Sequence, residues 1–119
     1  MKFIFLLGIL SCGLSVIMGA FGAHAFKSKL SEYSMSIYNK AVLYQMFHTL
    51  SILIIGLLEK IMPEVQLQMV GWTFLIGMII FCGSLYLLAI TGMKSLGMIT
   101  PIGGILFIIG WVMLAYRVV

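Results

Sequence analysis

Charged residues are scarce in this chain, and that scarcity decides its class. Only 8% of the 119 residues are Asp, Glu, Lys or Arg, against about 25% in an ordinary soluble domain. Water is therefore excluded as the medium around most of the surface. Aspartate is absent, and the three acidic residues, Glu32, Glu59 and Glu64, lie outside the long apolar runs. Their placement excludes paired carboxylates inside a span, and leaves none there to complete a metal shell. The two cysteines, Cys12 and Cys82, sit in apolar runs without a CxxC spacing. They read as small packing residues. The net charge of +4 comes from basic residues in short connections and at the termini. That pattern anchors a protein at headgroup level and is not a nucleic-acid footprint.

What the chain does have is apolar length: 63% of it is hydrophobic. Four uncharged runs, about 3–26, 36–58, 69–91 and 97–116, each approach the roughly 20 residues that cross a bilayer as a helix. The expected fold is all-α: one integral-membrane domain, 1–119, a four-helix transmembrane bundle running up-down-up-down. The first run superficially resembles a secretory signal, with Lys2 before it and Ala23-His24-Ala25 as an A-x-A-like site. A poor lipobox-like sequence also ends at Cys12. The run is longer than a signal core and the chain beyond it is equally membrane-like, so it is read as a retained helix. Ser11, Ser15, Gly19 and Ala23 repeat along it every four residues, beside a row begun by Gly8 and Cys12. Such ladders let a second backbone approach closely, here a neighbouring helix of the same chain or, alternatively, a second copy.

The connection 27–40 mixes Lys27, Lys29, Glu32 and Lys40 with Leu30, Tyr33 and Tyr38. It reads as an interfacial segment entering the second helix, with Ser31 or Ser34 as N-cap. Pro63 breaks the chain after the second span. Pro101 falls in the first turns of the fourth, where its missing N–H does least harm. Both termini then share one side, A, with the connection 59–68; side B carries 27–40 and the turn 92–95. Lys2, Lys60 and Arg117 stand on A, and Lys27, Lys29, Lys40 and Lys94 on B. Four against three tilts B toward the cytoplasm, and the terminal amine offsets it. Trp72, Trp111, Tyr116 and Tyr33 are placed as an aromatic belt, and the ten methionines as packing.

The most informative stretch is 44–58, YQMFHTLSILIIGLL. On a helix, Tyr38, Ala41, Gln45, His48, Thr49, Ile52 and Gly56 share one face. Unsatisfied polar groups in hydrocarbon cost several kcal/mol, so this seam must face protein or water. Counting depth at about 1.5 Å per residue puts Gln45, His48, Ser84, Tyr86, Thr91 and Thr100 in the side-B half, with His24 near that end. The expectation is a polar vestibule open to side B, sealed toward A, with His48 and Gln45 at its floor. The histidines carry competing readings. One makes them a relay or ligand set. The other makes them neutral imidazoles, bonded to Gln45, Ser84, Thr100 or backbone carbonyls. Ser84 with His48 as nucleophile and base lacks an acid to orient the histidine. On helix three, Gly77, Ser84 and Thr91 recur every seven residues, a seam suited to left-handed packing.

These motifs have a relative. Gly19-Ala-Phe-Gly-Ala-His24-Ala, Tyr44-Gln45-x-x-His48-Thr-Leu, Gly83-Ser-Leu-Tyr86, and Thr100-Pro-Ile-Gly103-Gly104 with Gly110-Trp111 come in this order. Together they resemble the small membrane-protein family called domain of unknown function four-two-three, found in bacteria with a mitochondrial counterpart in animals. The resemblance covers nearly the whole chain. It implies a four-helix protein of the bacterial plasma membrane and supplies no reaction, cofactor or catalytic residue. His24, Gln45, His48, Ser84, Thr100, Pro101 and Trp111 match the family pattern. Ser51-Ile52-Leu53 departs from it, where a run richer in alanine and leucine is usual.

The functional expectation is a non-enzymatic structural or accessory membrane protein, packing through its helices against itself or a larger complex. Its candidate polar-seam or ligand-binding residues are His24, Gln45, His48, Ser84 and Thr100. Ser11, Ser15, Gly19, Ala23, Gly103 and Gly104 are the helix-packing set. No metal, cofactor or nucleic acid is expected, and the lipid bilayer is the one certain partner. The alternative is a binder or transporter of a small molecule or a proton, using the vestibule.

Overall fold

A computed structural model describes residues 2–119. Four helices follow one another: α1 (Lys2–Phe26), α2 (Glu32–Ile61), α3 (Gln68–Thr91) and α4 (Thr100–Val118). A 3₁₀ turn, Lys94–Met98, leads into α4. Each of the four is long and apolar enough to cross a membrane.

The ends follow local chemistry. Ser31 caps α2, its hydroxyl accepting the Ser34 N–H at 3.1 Å, so of the two candidate serines it is the first that serves. The helix starts at Glu32, about one turn before the apolar run, because the cap and not the apolarity sets the boundary. Glu59 bends back to accept the Leu67 N–H at 2.7 Å, satisfying a donor at the start of α3 that no helical carbonyl reaches. Gly92 ends α3 in the left-handed conformation, φ 74°, its N–H bonded to the Leu88 carbonyl. A side chain would resist that conformation. Pro101 occupies the first turn of α4.

One irregularity interrupts α1. Between Ile17 and Gly22 the helix widens to a π turn, and the Tyr38 hydroxyl enters there to donate to the Met18 carbonyl at 2.5 Å. The extra residue frees carbonyl capacity and keeps the α1 face turned toward α2 beyond the insertion. Gly22 leaves the room: a Cβ there would overlap the Tyr38 oxygen. Tyr38, fully buried, anchors a small core with Val42 and Ala89, closed by Met18, Phe26 and Tyr86.

Consecutive helices pack antiparallel. The four-residue ladder of α1 lies against α2, where Gly8 meets Ile52, Gly19 meets Val42, and Ser11 lies beside Gln45. α2 packs on α3, and α3 on α4, around Ile52, Ile55, Val70, Phe74 and Phe107. The α3–α4 seam is built of large-into-small pairs at three successive levels. Gly103 faces Phe81, Gly77 faces Phe107, and Gly110 faces Phe74. Phe74 to Phe81 and Gly103 to Gly110 are both seven-residue steps, the repeat that keeps a seam in register between helices in left-handed packing. The heptad expected on α3 takes part at Gly77 and Ser84, while Thr91 is exposed and bonds back to the Leu87 carbonyl.

The bundle is not closed. Among the described residues, no Cα of α4 comes within 8 Å of α1 or α2. The helices stand as a curved row, α1–α2–α3–α4, with an opening on the side where α2 and α4 face each other. Aromatic side chains bridge the floor of that opening.

Candidate functional site

Polar side chains of the spans form three separate knots. In the first, the Gln45 carbonyl oxygen accepts the Tyr86 hydroxyl at 2.6 Å, and its amide reaches the Ser11 carbonyl and hydroxyl at 3.4 Å. Thr49 extends this knot toward α1, donating to the Gly8 carbonyl at 2.8 Å with Cys12 beside it at 3.6 Å. The second joins α3 to α4: Ser84 and Thr100 share a hydrogen bond of 2.6 Å, and Ser84 donates to the Phe81 carbonyl at 2.9 Å. The third is His48. Its Nδ1 lies 3.0 Å from the Tyr44 carbonyl, and the Trp111 indole donates to its Nε2 at 3.3 Å.

This arrangement fixes the imidazole's form. A carbonyl accepts only, so Nδ1 carries the proton; the indole donates only, so Nε2 carries a lone pair. Phe107 stacks on the ring with centroids 3.6 Å apart and planes 7° from parallel. Phe74 closes its edge at 5.5 Å. Nitrogen-15 imidazole spectra of the protein in nanodiscs should therefore show the Nδ1–H tautomer. Trp111→Phe, which removes the donor facing Nε2, should bring in the Nε2–H form. An Nε2–H tautomer in the parent protein would contradict this geometry.

His48 also lies at the bottom of an apolar groove of about 680 Å³ between α2 and α4. Leu43, Tyr44 and Phe47 form one wall, Pro101, Gly104, Ile105 and Ile108 the other, and Phe81, Phe107 and Trp111 complete it. The groove opens sideways, where α2 and α4 fail to meet.

Several expectations change here. The polar vestibule open to side B is replaced by this lateral apolar groove, because the hydroxyls of Ser84, Tyr86 and Thr100 and the Gln45 amide are bonded to neighbouring helices. Gln45 is not beside His48 in a common floor. Although three residues apart on one helix, Gln45 turns to α1 and α3 and His48 to α4. His24 joins neither: it is exposed near the end of α1. Trp111 leaves the aromatic belt, since α4 carries it about 16 Å beyond Thr100 at 1.5 Å per residue, to the level of His48. Of the helix-packing set, Gly103 is closed against the Phe81 backbone, whereas Gly104 borders the groove. Ser84 and His48 share no hydrogen bond, so no nucleophile–base pair is assembled from them. No group of three His, Cys, Asp or Glu stands ready to hold a metal ion among the described residues.

Tyr86 and Phe107 take part in these knots without standing in the candidate set. Tyr86 falls at the depth of Gln45, and that coincidence is the one signal for their bond. Phe107 gives none, for nothing in an isoleucine-rich helix marks one phenylalanine as a stacking partner.

Residues 18–104 match the family described as protein of unknown function (DUF423). The chain belongs to that family. A UPF0382 membrane protein of Staphylococcus aureus is 47% identical over 114 residues, covering 96% of this chain and 93% of the relative. UPF0382 membrane proteins of Staphylococcus haemolyticus and Staphylococcus epidermidis are each 48% identical over the same length and coverage. No solved structure matches. With four membrane-length helices, this DUF423 member is a multi-pass protein of the bacterial plasma membrane.

Proposed function

We propose that this DUF423 protein is a non-enzymatic accessory membrane protein whose working surface is the α2/α4 side, where it receives an apolar partner within the bilayer. The observation that carries this reading is a contrast. Among the described residues, every buried side-chain nitrogen and oxygen has an internal hydrogen-bond partner, so the buried polar groups are engaged in holding helices. The groove beside His48, meanwhile, is apolar and faces sideways. Packing of α1 through its ladder is used up within the chain, so the open side offers the surface for association that the other helices lack. The vestibule reading, with Gln45 and His48 handling a polar solute, loses support because the two side chains are bonded into different knots.

Photo-crosslinking in living cells tests this. Benzoylphenylalanine at Leu43 or Ile105 looks across the groove; at Leu10 or Ile79, both exposed, it faces the bilayer elsewhere. A discrete adduct confined to the groove positions, and lost when Gly104→Leu fills the groove, supports the reading. The same diffuse labelling at all four positions overturns it.

A further inference from the structure

Resting on that reading of the α2/α4 side, we infer that the groove seats one hydrocarbon chain of an anionic phospholipid, whose headgroup Lys40 holds at the side-B boundary. The depth of the groove carries the first step. On α2, Lys40 and Glu59 bracket the uncharged residues 41–58, about 27 Å at 1.5 Å per residue, close to the roughly 30 Å of bilayer hydrocarbon. Lys40 therefore stands where hydrocarbon gives way to headgroups. The groove begins directly below it: Leu43, Tyr44, Phe47 and His48 follow at the spacing of one helical face, and all four line the cavity.

Length and lining suit the occupant. Along α4 the lining runs from Pro101 to Trp111, about 15 Å at the helical rise. An extended hydrocarbon chain enters whole, against apolar walls and an aromatic floor, and the volume lies within the usual range for a ligand of that scale.

Charge selects the headgroup. Side B carries Lys27, Lys29, Lys40 and Lys94 against Glu32 alone, while Glu59 and Glu64 belong to side A. Lys40 is exposed. Its ammonium, on a flexible four-carbon stem, reaches the phosphate level while the stem lies along the apolar face.

The groove contains its own reporter, for Trp111 lines it and only one other tryptophan, Trp72, is present. Full-length Trp72→Phe protein goes into phosphatidylcholine vesicles holding either brominated phosphatidylglycerol or brominated phosphatidylcholine at one mole fraction. The brominated phosphatidylglycerol should quench Trp111 as though enriched about fivefold, the effect of one lysine near an anionic surface. Lys40→Gln should bring the ratio near one and Lys40→Arg should keep it. Gly104→Leu, whose first carbon meets Phe81 only at an ordinary 3.8 Å, should lower quenching by both lipids. A ratio near one in the parent, a ratio that survives Lys40→Gln, or quenching indifferent to Gly104→Leu overturns the inference. If Trp111 is instead shielded from both lipids in cell-derived membranes and the groove crosslinks to protein, the lipid seat falls while the accessory role stands. If no position-specific adduct forms at all, both fall.

Discussion

Gly103→Leu should cost more than about 3 kcal/mol of stability and release α4 from α3, whereas a comparable change at Gly110 should be partly repairable. The difference lies in what each glycine faces. A Cβ on Gly103 would come 2.5 Å from the Phe81 nitrogen and 2.8 Å from its Cα. Backbone cannot rotate aside, so relief requires the two helices to separate, beyond the roughly 1–3 kcal/mol of ordinary overpacking. At Gly110 the obstacle is the ring of Phe74, 2.6 Å from the imagined Cβ. Phe74→Leu makes room, so Gly110→Ala with Phe74→Leu should be less destabilised than the sum of the single changes. The same removal of the Phe81 ring should not rescue Gly103→Leu. Unfolding by SDS titration in mixed micelles, read by helicity, measures all of these. If Phe81→Leu rescues Gly103→Leu as well as Phe74→Leu rescues Gly110→Ala, the backbone contact is not what Gly103 provides.

The large-into-small seam shows where sequence reading succeeds and where it stops. Uncharged length alone yields four spans, because a bilayer admits few other ways to satisfy a backbone. Gly103, Gly104 and the α1 ladder can be marked as candidate packing positions, since small residues in lipid-embedded helices have few other uses, yet Gly104 borders the groove. Their partners cannot be named. Gly103 meets Phe81 and Gly77 meets Phe107 only once the α3–α4 register is set, and a turn such as 92–99 leaves that register open. The candidate site obeys the same limit. Gln45 and His48 share a helical face, so one-dimensional reasoning puts them in one pocket. An angle of about 60° between side chains three residues apart, at 3.6 residues per turn, is enough to send them to different neighbours. The groove is invisible in the sequence because it arises from something missing: the α4 backbone packs on α3 alone and reaches α2 only through the side chains of Phe107 and Trp111. No residue records that the α2 and α4 backbones stay apart.

Gln45→Leu should destabilise the bundle by about 1–3 kcal/mol, the usual cost of stranding a buried hydrogen-bond partner. Adding Tyr86→Phe to it should restore part of the loss. The Tyr86 hydroxyl donates to Gln45 at 2.6 Å, whereas the Gln45 amide reaches Ser11 only at 3.4 Å. The short bond therefore carries most of the interaction, and Ser11→Ala should cost under about 0.5 kcal/mol, since long contacts weaken steeply. Leucine fills much of glutamine's volume, so packing changes little and the stranded hydroxyl dominates the loss. Removing that hydroxyl replaces a broken polar pair by an apolar one, which lipid-embedded helices accept at little cost. Tyr86→Phe alone should lie nearer 0.6 kcal/mol, about the average for a hydrogen bond between membrane helices, because glutamine keeps its own Ser11 contact. The informative quantity is the order: the double variant above Gln45→Leu. A double variant weaker than both single ones would mean that Gln45 and Tyr86 contribute by separate packing. The Thr49–Gly8 bond would still tie α2 to α1.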